Sequence, residues 1–388
     1  MFFKIATRFS VGGISISVGT FVVKISFVIY KYFPFGGQQR DFLSVVTECI
    51  NRGYEVQVFV MSWEGQIPDG IKLKKFPPEK HGHLRKLRHF SSRVHLALAS
   101  QKRHLVIGFN KIPGLDIYFA VDPCFAEKAQ EQRSKYYKFT PRYRHFINYE
   151  RQVFSENSNT DVFYLTEHQK DSFIRFYPQF KGYFHFLPPG LTRDRRVDDS
   201  HSKEVRIKSR IADKIRSYLG LKSNDLMVLQ VGSGFKVKGV DRSLRAVAAL
   251  PVELRSRVFY VLVGQDKVAR FSRLADKLNL GEKFLYLGPR EDVPELLAAA
   301  DLMLHPAYSE SAGYTILEAV VAGLPILTTA SCGYAFHVER SNAGLVVKEP
   351  YQQKSLNDAL VNMLQVLNSL RNFRSNCCLL YTSDAADE

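Results

Sequence analysis

Twice along this chain, runs of branched and aromatic residues alternate with helix-like stretches, and a charged segment poor in large apolar side chains, residues 193 to 210, separates the two series. The first series opens with KISFVIY (24–30), a glycine-containing loop KYFPFGGQQRDF (31–42), an amphipathic run to Ile50 closed by Arg52 and Gly53, and EVQVFVMS (55–62). Strand, loop, helix and strand in that order form the opening βαβ unit of a parallel sheet. HLVIGF (104–109), DIYFAV (116–121) and DVFYLT (161–166) continue it. LPPG (187–190) ends it, because two prolines block helix and central strand alike. The second series holds LMVLQVGS (226–233), VFYVLVGQ (258–265), KFLYLGP (283–289), ADLMLHP (300–306) and LPILTT (324–329). The expected fold is α/β, with two doubly wound Rossmann-like domains over 23–190 and 213–370. They face each other across a cleft, and ligands bind beyond the carboxyl ends of the strands. Residues 191–212 are expected as an exposed linker.

At 388 residues and 45% apolar content, the chain can bury two cores. Lys and Arg number 54 against 38 Asp and Glu, a formal charge of +16, which implies an anionic partner: nucleic acid, a phosphorylated glycan or an acidic membrane surface. Cys49, Cys124, Cys332, Cys377 and Cys378 are scattered and odd in number, against a disulfide framework or a zinc site and in favour of a reducing cytoplasm. Lys4 and Arg8 precede the mildly apolar run Val11 to Val23, but Gly12, Gly13, Ser15, Ser17 and Gly19 make it a poor signal-peptide core. Residues 1–22 are expected as an extension outside the fold. No uninterrupted apolar run is long enough to span a membrane. RSNCCLLYTSDAADE lacks periodicity, and 371–388 is expected to be an atypical, foreign tail.

Chemistry concentrates in HPAYSESAGYTILEA (305–319). Ser311 to Gly313 form a helix entrance, and the helix should run through Glu318 to a stop at Gly323 and Pro325. Unpaired N–H groups at such an entrance suit a diphosphate. Glu310 and Glu318 would stand roughly 12 Å apart on a continuous helix, the scale of a nucleotide sugar. Two solvated acids on a surface helix are the plain alternative. Gly36 and Gly37, after the first strand, permit close backbone approach to a diphosphate or sugar. Asp41 equally suits the first turn of a helix, where it complements the dipole.

These segments together resemble the family 4 glycosyltransferases of GT-B fold, in the branch that adds glucose to the heptose of lipopolysaccharide core. The resemblance covers about residues 23–370 and rests on KYFPFGGQQRDF, GFNKIPGLDIYFA, RYRHF, LPPG, KGVDRS, VGQDK, HPAYSESAG and TTASCGYA in that order. It implies that Lys238 neutralises the donor phosphates and that Glu310 holds hydroxyls of the transferred hexose. It further implies that Glu318 holds the ribose and that the backbone of Ser311, Ala312, Gly313 and Tyr314 faces phosphate. Gly264, Gln265, Arg290 and Val293 would surround the base, and Asp41 would touch the donor sugar or the acceptor. Ser233 stands where most members carry a second basic residue and Val237 where the nearest branch has arginine; Arg195 is the candidate for the missing charge. Asn110 and Asp122 are either ligand contacts or turn residues.

No Asp-x-Asp lies between apolar strands, so no metal is expected. The resemblance implies retention of configuration without a protein nucleophile. The histidines at 81, 83, 89, 95 and 104 lack metal-ligand spacing and are read as a solvated basic loop. Residues 133–151 carry six Arg or Lys against one Glu, interleaved with aromatics, and Thr140 and Pro141 open a helix. Tyr143, Phe146, Ile147 and Phe154 fall near one face, with Arg142, Arg144, His145 and Arg151 elsewhere. That pattern suits an anionic inner-leaflet surface. The expected function is a cytoplasmic-face, peripheral glucosyltransferase using UDP-glucose on a lipopolysaccharide core acceptor. The alternatives are another nucleotide hexose or glycan acceptor on the same fold, or a basic membrane- or nucleic-acid-binding protein without activity. No nucleic-acid module is recognisable, and no nucleic acid is expected as partner.

Overall fold

The structure, a computed structural model, describes residues 24–34, 36–78, 82–101, 105–131, 133–187 and 203–367. The expected extension 1–22, the tail 371–388 and the proline pair of LPPG lie outside the described residues. Seven parallel strands make the first sheet: β1 (Lys24–Val28), β2 (Glu55–Val60), β3 (Ile71–Lys75), β4 (Leu105–Gly108), β5 (Ile117–Ala120), β6 (Asp161–Tyr164) and β7 (Phe184–Phe186), ordered β3-β2-β1-β4-β5-β6-β7. Six make the second: β8 (Leu226–Val231), β9 (Val258–Val263), β10 (Phe284–Gly288), β11 (Leu302–His305), β12 (Ile326–Thr329) and β13 (Gly344–Val347), ordered β10-β9-β8-β11-β12-β13. Both sheets reverse direction beside their first strand, the doubly wound order that opens a crevice at the carboxyl edge. β1 and β9 are buried at nearly every position because helices cover both faces of a parallel sheet.

On one face of the first sheet, α1 (Gly37–Asn51) packs Phe42, Val46 and Cys49 against Phe27 and Val58. Ala312, Leu317 and Tyr334 of the second domain join that same cluster, so the domains meet along an apolar seam. On the other face, α2 (His83–Ala99) buries Leu87, Phe90 and Val94. This corrects the expected basic loop: those three share one helical face, and the cationic residues between them lie outside it. His81 and His104 lie outside the described residues.

In α3 (Pro141–Val153), Thr140 caps the first turn by accepting from the Tyr143 N–H at 3.1 Å, with proline at the first position, as expected. His145 departs from expectation. It is 6% exposed, with its ring 4.2 Å from that of Tyr149, and burial pushes it down to about 4. The segment expected as exposed linker over 191–212 is helical in its later part, where α4 (Lys203–Tyr218) begins. Ala212, Ile215 and Leu219, spaced three and four apart, pack on the second domain's core. Cys49, Cys124 and Cys332 are free and buried; Cys377 and Cys378 lie outside the described residues. Among the described residues no helix is long and apolar enough to cross a membrane.

Candidate active site

A cavity of about 680 Å³ lies between the domains, lined by loops that leave the carboxyl ends of β1, β5 and β6 on one side and of β8, β9, β10 and β11 on the other. The second sheet reverses between β8 and β11, and the loops after those strands carry Lys238 and Glu310.

The β8 loop turns into α5 (Val240–Ala248) at Gly239, where φ is +71° and an added Cβ would stand 2.0 Å from the Pro306 carbonyl oxygen. Only glycine meets both demands. The Tyr308 N–H donates to the Val237 carbonyl at 2.8 Å. Arg242 Nη1 donates to the carbonyls of Pro306 and Ala307 at 3.3 and 3.1 Å. Its guanidinium lies 3.7 Å from the ring centre of Tyr308 and 3.5 Å from that of Tyr351. Thus fastened, the two loops bring Lys238 Nζ into direct ion pairing with Glu310 Oε2. His305, fully buried, places Nε2 3.4 Å from that same oxygen. Burial, and then the charge of Lys238, push His305 down to about 3, so it is neutral at physiological pH. Burial also pulls Lys238 down to about 8; the carboxylate against it works to keep it charged.

Glu310 is held from behind by TTASCGYA. Its N–H donates to the Ser331 carbonyl at 3.1 Å, its carbonyl accepts from the Gly333 N–H at 3.0 Å, and the Tyr334 N–H donates to the Ala312 carbonyl at 2.8 Å. Gly313, at φ +102°, then starts α6 (Tyr314–Val321). The helix begins and stops where the sequence places it, with Gly323 at φ +67°. Ser311, Ala312, Gly313 and Tyr314 line the cavity at its start, where first-turn N–H groups have no helical acceptor. Glu318, on α6, is 5% exposed, and its Oε1 accepts from Arg40 Nη1 of the first domain at 3.1 Å.

On the first-domain wall, Gly36 precedes α1 at φ −94°, a backbone conformation open to any residue, but an added Cβ would run into the side chains of Gln39 and Phe33. A Cβ on Gly37 would meet nothing within 4 Å. Gln38 and Gln39 tie the loop to the sheet through the carbonyls of Phe109 and Lys31. Burial pushes Asp41 up to about 7, against the opposing charge of Arg40 and a hydrogen bond from Tyr314. Asp122 keeps solvent access at the cavity wall, and the loops crowded around it still raise it by desolvation, opposed by Lys111 and Lys128.

Asp41, Lys238, Glu310, Gly36, Gly37, Gly264, Arg290, Val293 and Glu318 all line the cavity beside the Ser311–Tyr314 loop. Gln265 is not among the lining residues; its N–H donates to Ser233 Oγ at 3.1 Å, which ties the β9 loop to the β8 loop. Arg195 lies outside the described residues. Asn110 accepts the Tyr30 N–H at 2.8 Å as a strand-end brace, while Asp122 reaches the cavity. Arg290 is paired with Asp292 at 2.7 Å. Arg40, Arg242 and His305 carry no role in the sequence reading. All three sit inside motifs that carry the resemblance, KYFPFGGQQRDF, KGVDRS and HPAYSESAG, which was their available signal. Among the described residues no cluster of three His, Cys, Asp or Glu could hold a metal ion.

A family model described as "Glycosyl transferases group 1" matches residues 212–377. Lipopolysaccharide glucosyltransferase WaaG of Escherichia coli (strain K12) is 42% identical over 338 residues, 87% of this chain and 88% of the relative. A D-inositol 3-phosphate glycosyltransferase of Corynebacterium jeikeium (strain K411) is 29% identical over 42% of this chain and 39% of its own. The crystal structure of WaaG, a glycosyltransferase involved in lipopolysaccharide biosynthesis, superposes with a TM-score of 0.85 at 40% identity, covering 91% of this chain and 94% of that one. Anabaena Alr3699/HepE, solved with UDP-glucose, reaches 0.69 at 18% identity over 93% and 94% of the two chains, and shares the fold.

Proposed function

The chain belongs to the WaaG family of group 1 glycosyltransferases and is a GT-B glycosyltransferase; on that premise we propose that it transfers glucose from UDP-glucose to a heptose of the lipopolysaccharide inner core. The observation that carries this reading is the Lys238–Glu310 pair at the switch point of the second sheet, in one cavity with the start of α6. A cation and a helix entrance accept a diphosphate, and a carboxylate beside them accepts sugar hydroxyls.

Lys238 exchanges Glu310 for the donor phosphates on binding, and Glu310 turns to the hexose hydroxyls. Glu318 takes the ribose, while Gly264, Arg290 and Val293 surround the base. Asp41 meets the hexose or the acceptor hydroxyl from the other wall. As the bond from the anomeric carbon to phosphate breaks, the acceptor oxygen bonds to that carbon on the same face. The departing phosphate oxygen takes the acceptor proton, so configuration is retained with no protein nucleophile and no metal. Lys238 and the N–H groups of Ser311 to Tyr314 stabilise the charge that develops on the leaving diphosphate.

The enzyme works at the cytoplasmic face of the membrane, docking through about residues 133–151. There Tyr136 and Phe139 are 82% and 73% exposed, and Arg133 and Arg142 lie against the rings of Tyr137 and Phe146 at 5.5 and 5.2 Å. Exposed aromatics beside cations suit an anionic headgroup layer.

UDP release from UDP-glucose tests this, with inner-core lipopolysaccharide presented in anionic vesicles or in neutral detergent. We expect release that depends on acceptor and is faster on vesicles. Turnover only with another nucleotide hexose would change the donor; equal rates in both presentations would remove the membrane surface. Absence of acceptor-dependent release with any nucleotide hexose would overturn the reading.

A further inference from the structure

The carboxylate assigned to the ribose is shared between the two domains. Glu318 belongs to the second domain, yet its Oε1 accepts a charge-assisted bond at 3.1 Å from Arg40, 278 positions earlier in the chain. The neighbouring Asp41 is hydrogen-bonded to Tyr314, one helical turn before Glu318 on α6. Two successive residues in the first turns of α1 thus hold two residues on the same stripe of α6. The surroundings make the contact defined: Leu317 and Ala312 pack beside Phe42 in the first domain's core, so the polar pair borders an apolar seam. Arg40 is still 38% exposed at its side chain and lines the cavity together with Glu318.

A carboxylate that must accept hydroxyl hydrogens has to stay ionised and keep one orientation. Buried alone, it would do neither cheaply. A guanidinium on one oxygen stabilises the charge and fixes the rotamer, and a carboxylate has acceptor sites enough to serve a second partner. We propose that Arg40 is a positioning residue for Glu318, supplied by the opposite domain, so that ribose recognition is complete only when the cleft is closed. This rests on the reading that Glu318 takes the ribose. It gives the first domain a part in nucleotide recognition, since opening the cleft would withdraw Arg40 from the carboxylate.

The test is binding of UDP and of 2′,3′-dideoxy-UDP, measured calorimetrically on the full chain and on Arg40→Ala, Arg40→Lys, Glu318→Gln and the double variant Arg40→Ala with Glu318→Gln. Wild type should prefer UDP. Arg40→Ala should weaken UDP by about tenfold, the equivalent of one ordered hydrogen-bonding partner, and leave the dideoxy nucleotide within about twofold. Arg40→Lys should recover part of the preference. The double variant should bind UDP no more weakly than Glu318→Gln, because the two residues act as a unit. Equal loss of both nucleotides in Arg40→Ala, or losses that add in the double variant, would overturn the proposal and leave Arg40 as a brace between domains. Loss of the ribose preference in Glu318→Gln combined with its retention in Arg40→Ala would overturn it while sparing the ribose assignment. A Glu318→Gln variant that still prefers UDP would remove that assignment, and the proposal with it. Should Arg40→Ala fail to fold, Arg40→Lys and Arg40→Gln provide the same comparison.

Discussion

The two walls of the cleft rise from sheets whose first six strands follow one order, yet they hold their polar groups differently. On the second wall the groups assigned to the phosphates, the hexose and the base are fixed from within their own domain, and only Glu318 reaches across. Lys238 and Glu310 hold each other, Arg242 fastens their loops, Ser331 and Gly333 brace the Glu310 backbone, and Asp292 holds Arg290. On the first wall, Arg40 and Asp41 find partners across the cleft, on Glu318 and Tyr314. One wall is preorganised and the other is completed by approach. Preorganised charge is what stabilises a leaving diphosphate, and a wall that arrives on closure suits acceptor entry and product release.

If the second wall carries the chemistry, its variants should show the largest effects. Glu310→Ala is expected to lower kcat by about 10³-fold and Lys238→Met by about 10²-fold, in acceptor-dependent transfer and in slow donor hydrolysis alike. The fold should survive in Glu310→Ala, because Lys238, already drawn down to about 8 by burial, can shed its proton at modest cost once unpaired. Steady-state rates with circular dichroism as the folding check decide this. Near-normal turnover in either variant would break the division of labour between the walls.

A second contrast concerns rigidity. Arg242 is 8% exposed, stacked between Tyr308 and Tyr351 and bonded to two carbonyls. Arg242→Met should cost about 2–3 kcal/mol, from hydrogen bonds by a charged donor and the cation–π contacts, and lower kcat about tenfold as the β8 and β11 loops separate. Denaturant melts and kcat report the two effects. Loss of stability with unchanged kcat would show that the loops keep their spacing without it.

The same contrast explains what the sequence made legible. The second wall is read from short contiguous motifs, because each loop follows its strand directly and carries its own braces; HPAYSESAG and TTASCGYA are two halves of one hydrogen-bonded unit. Arg40 carries no local signal of its role, because its partner stands 278 positions away, a separation that no local pattern encodes. His305 carries none because a fully buried histidine behind a carboxylate reads like any strand-end residue. In α2 the cationic density hides the spacing of Leu87, Phe90 and Val94. In α4 charge masks the stripe of Ala212, Ile215 and Leu219 in the same way. Strand order itself has no sequence signature beyond the βαβ rhythm, so the switch point came from the sheets.

The smallest effect separates the first wall's stability from its function. Asp41 has an ordinary value of 3.8 and is raised to about 7 by burial. Its folded form therefore binds a proton more tightly than its unfolded form. The stability it contributes is complete below about pH 4 and is lost as pH rises through about 7. Asp41→Asn removes that loss. Its melting temperature should match wild type near pH 4 and exceed it by about 2–4 °C at pH 8, as would follow from about 1 kcal/mol, the part of the rise that survives solvent screening of a carboxylate that is only half-buried. Activity at pH 8 should fall in the same variant, since an amide cannot stand in for the carboxylate at a sugar hydroxyl. Melting curves from pH 4 to 8 give the answer directly. A pH-independent offset would mean that Asp41 ionises as freely as a surface carboxylate, and that the first wall is open to water where the bond to Tyr314 holds it shut.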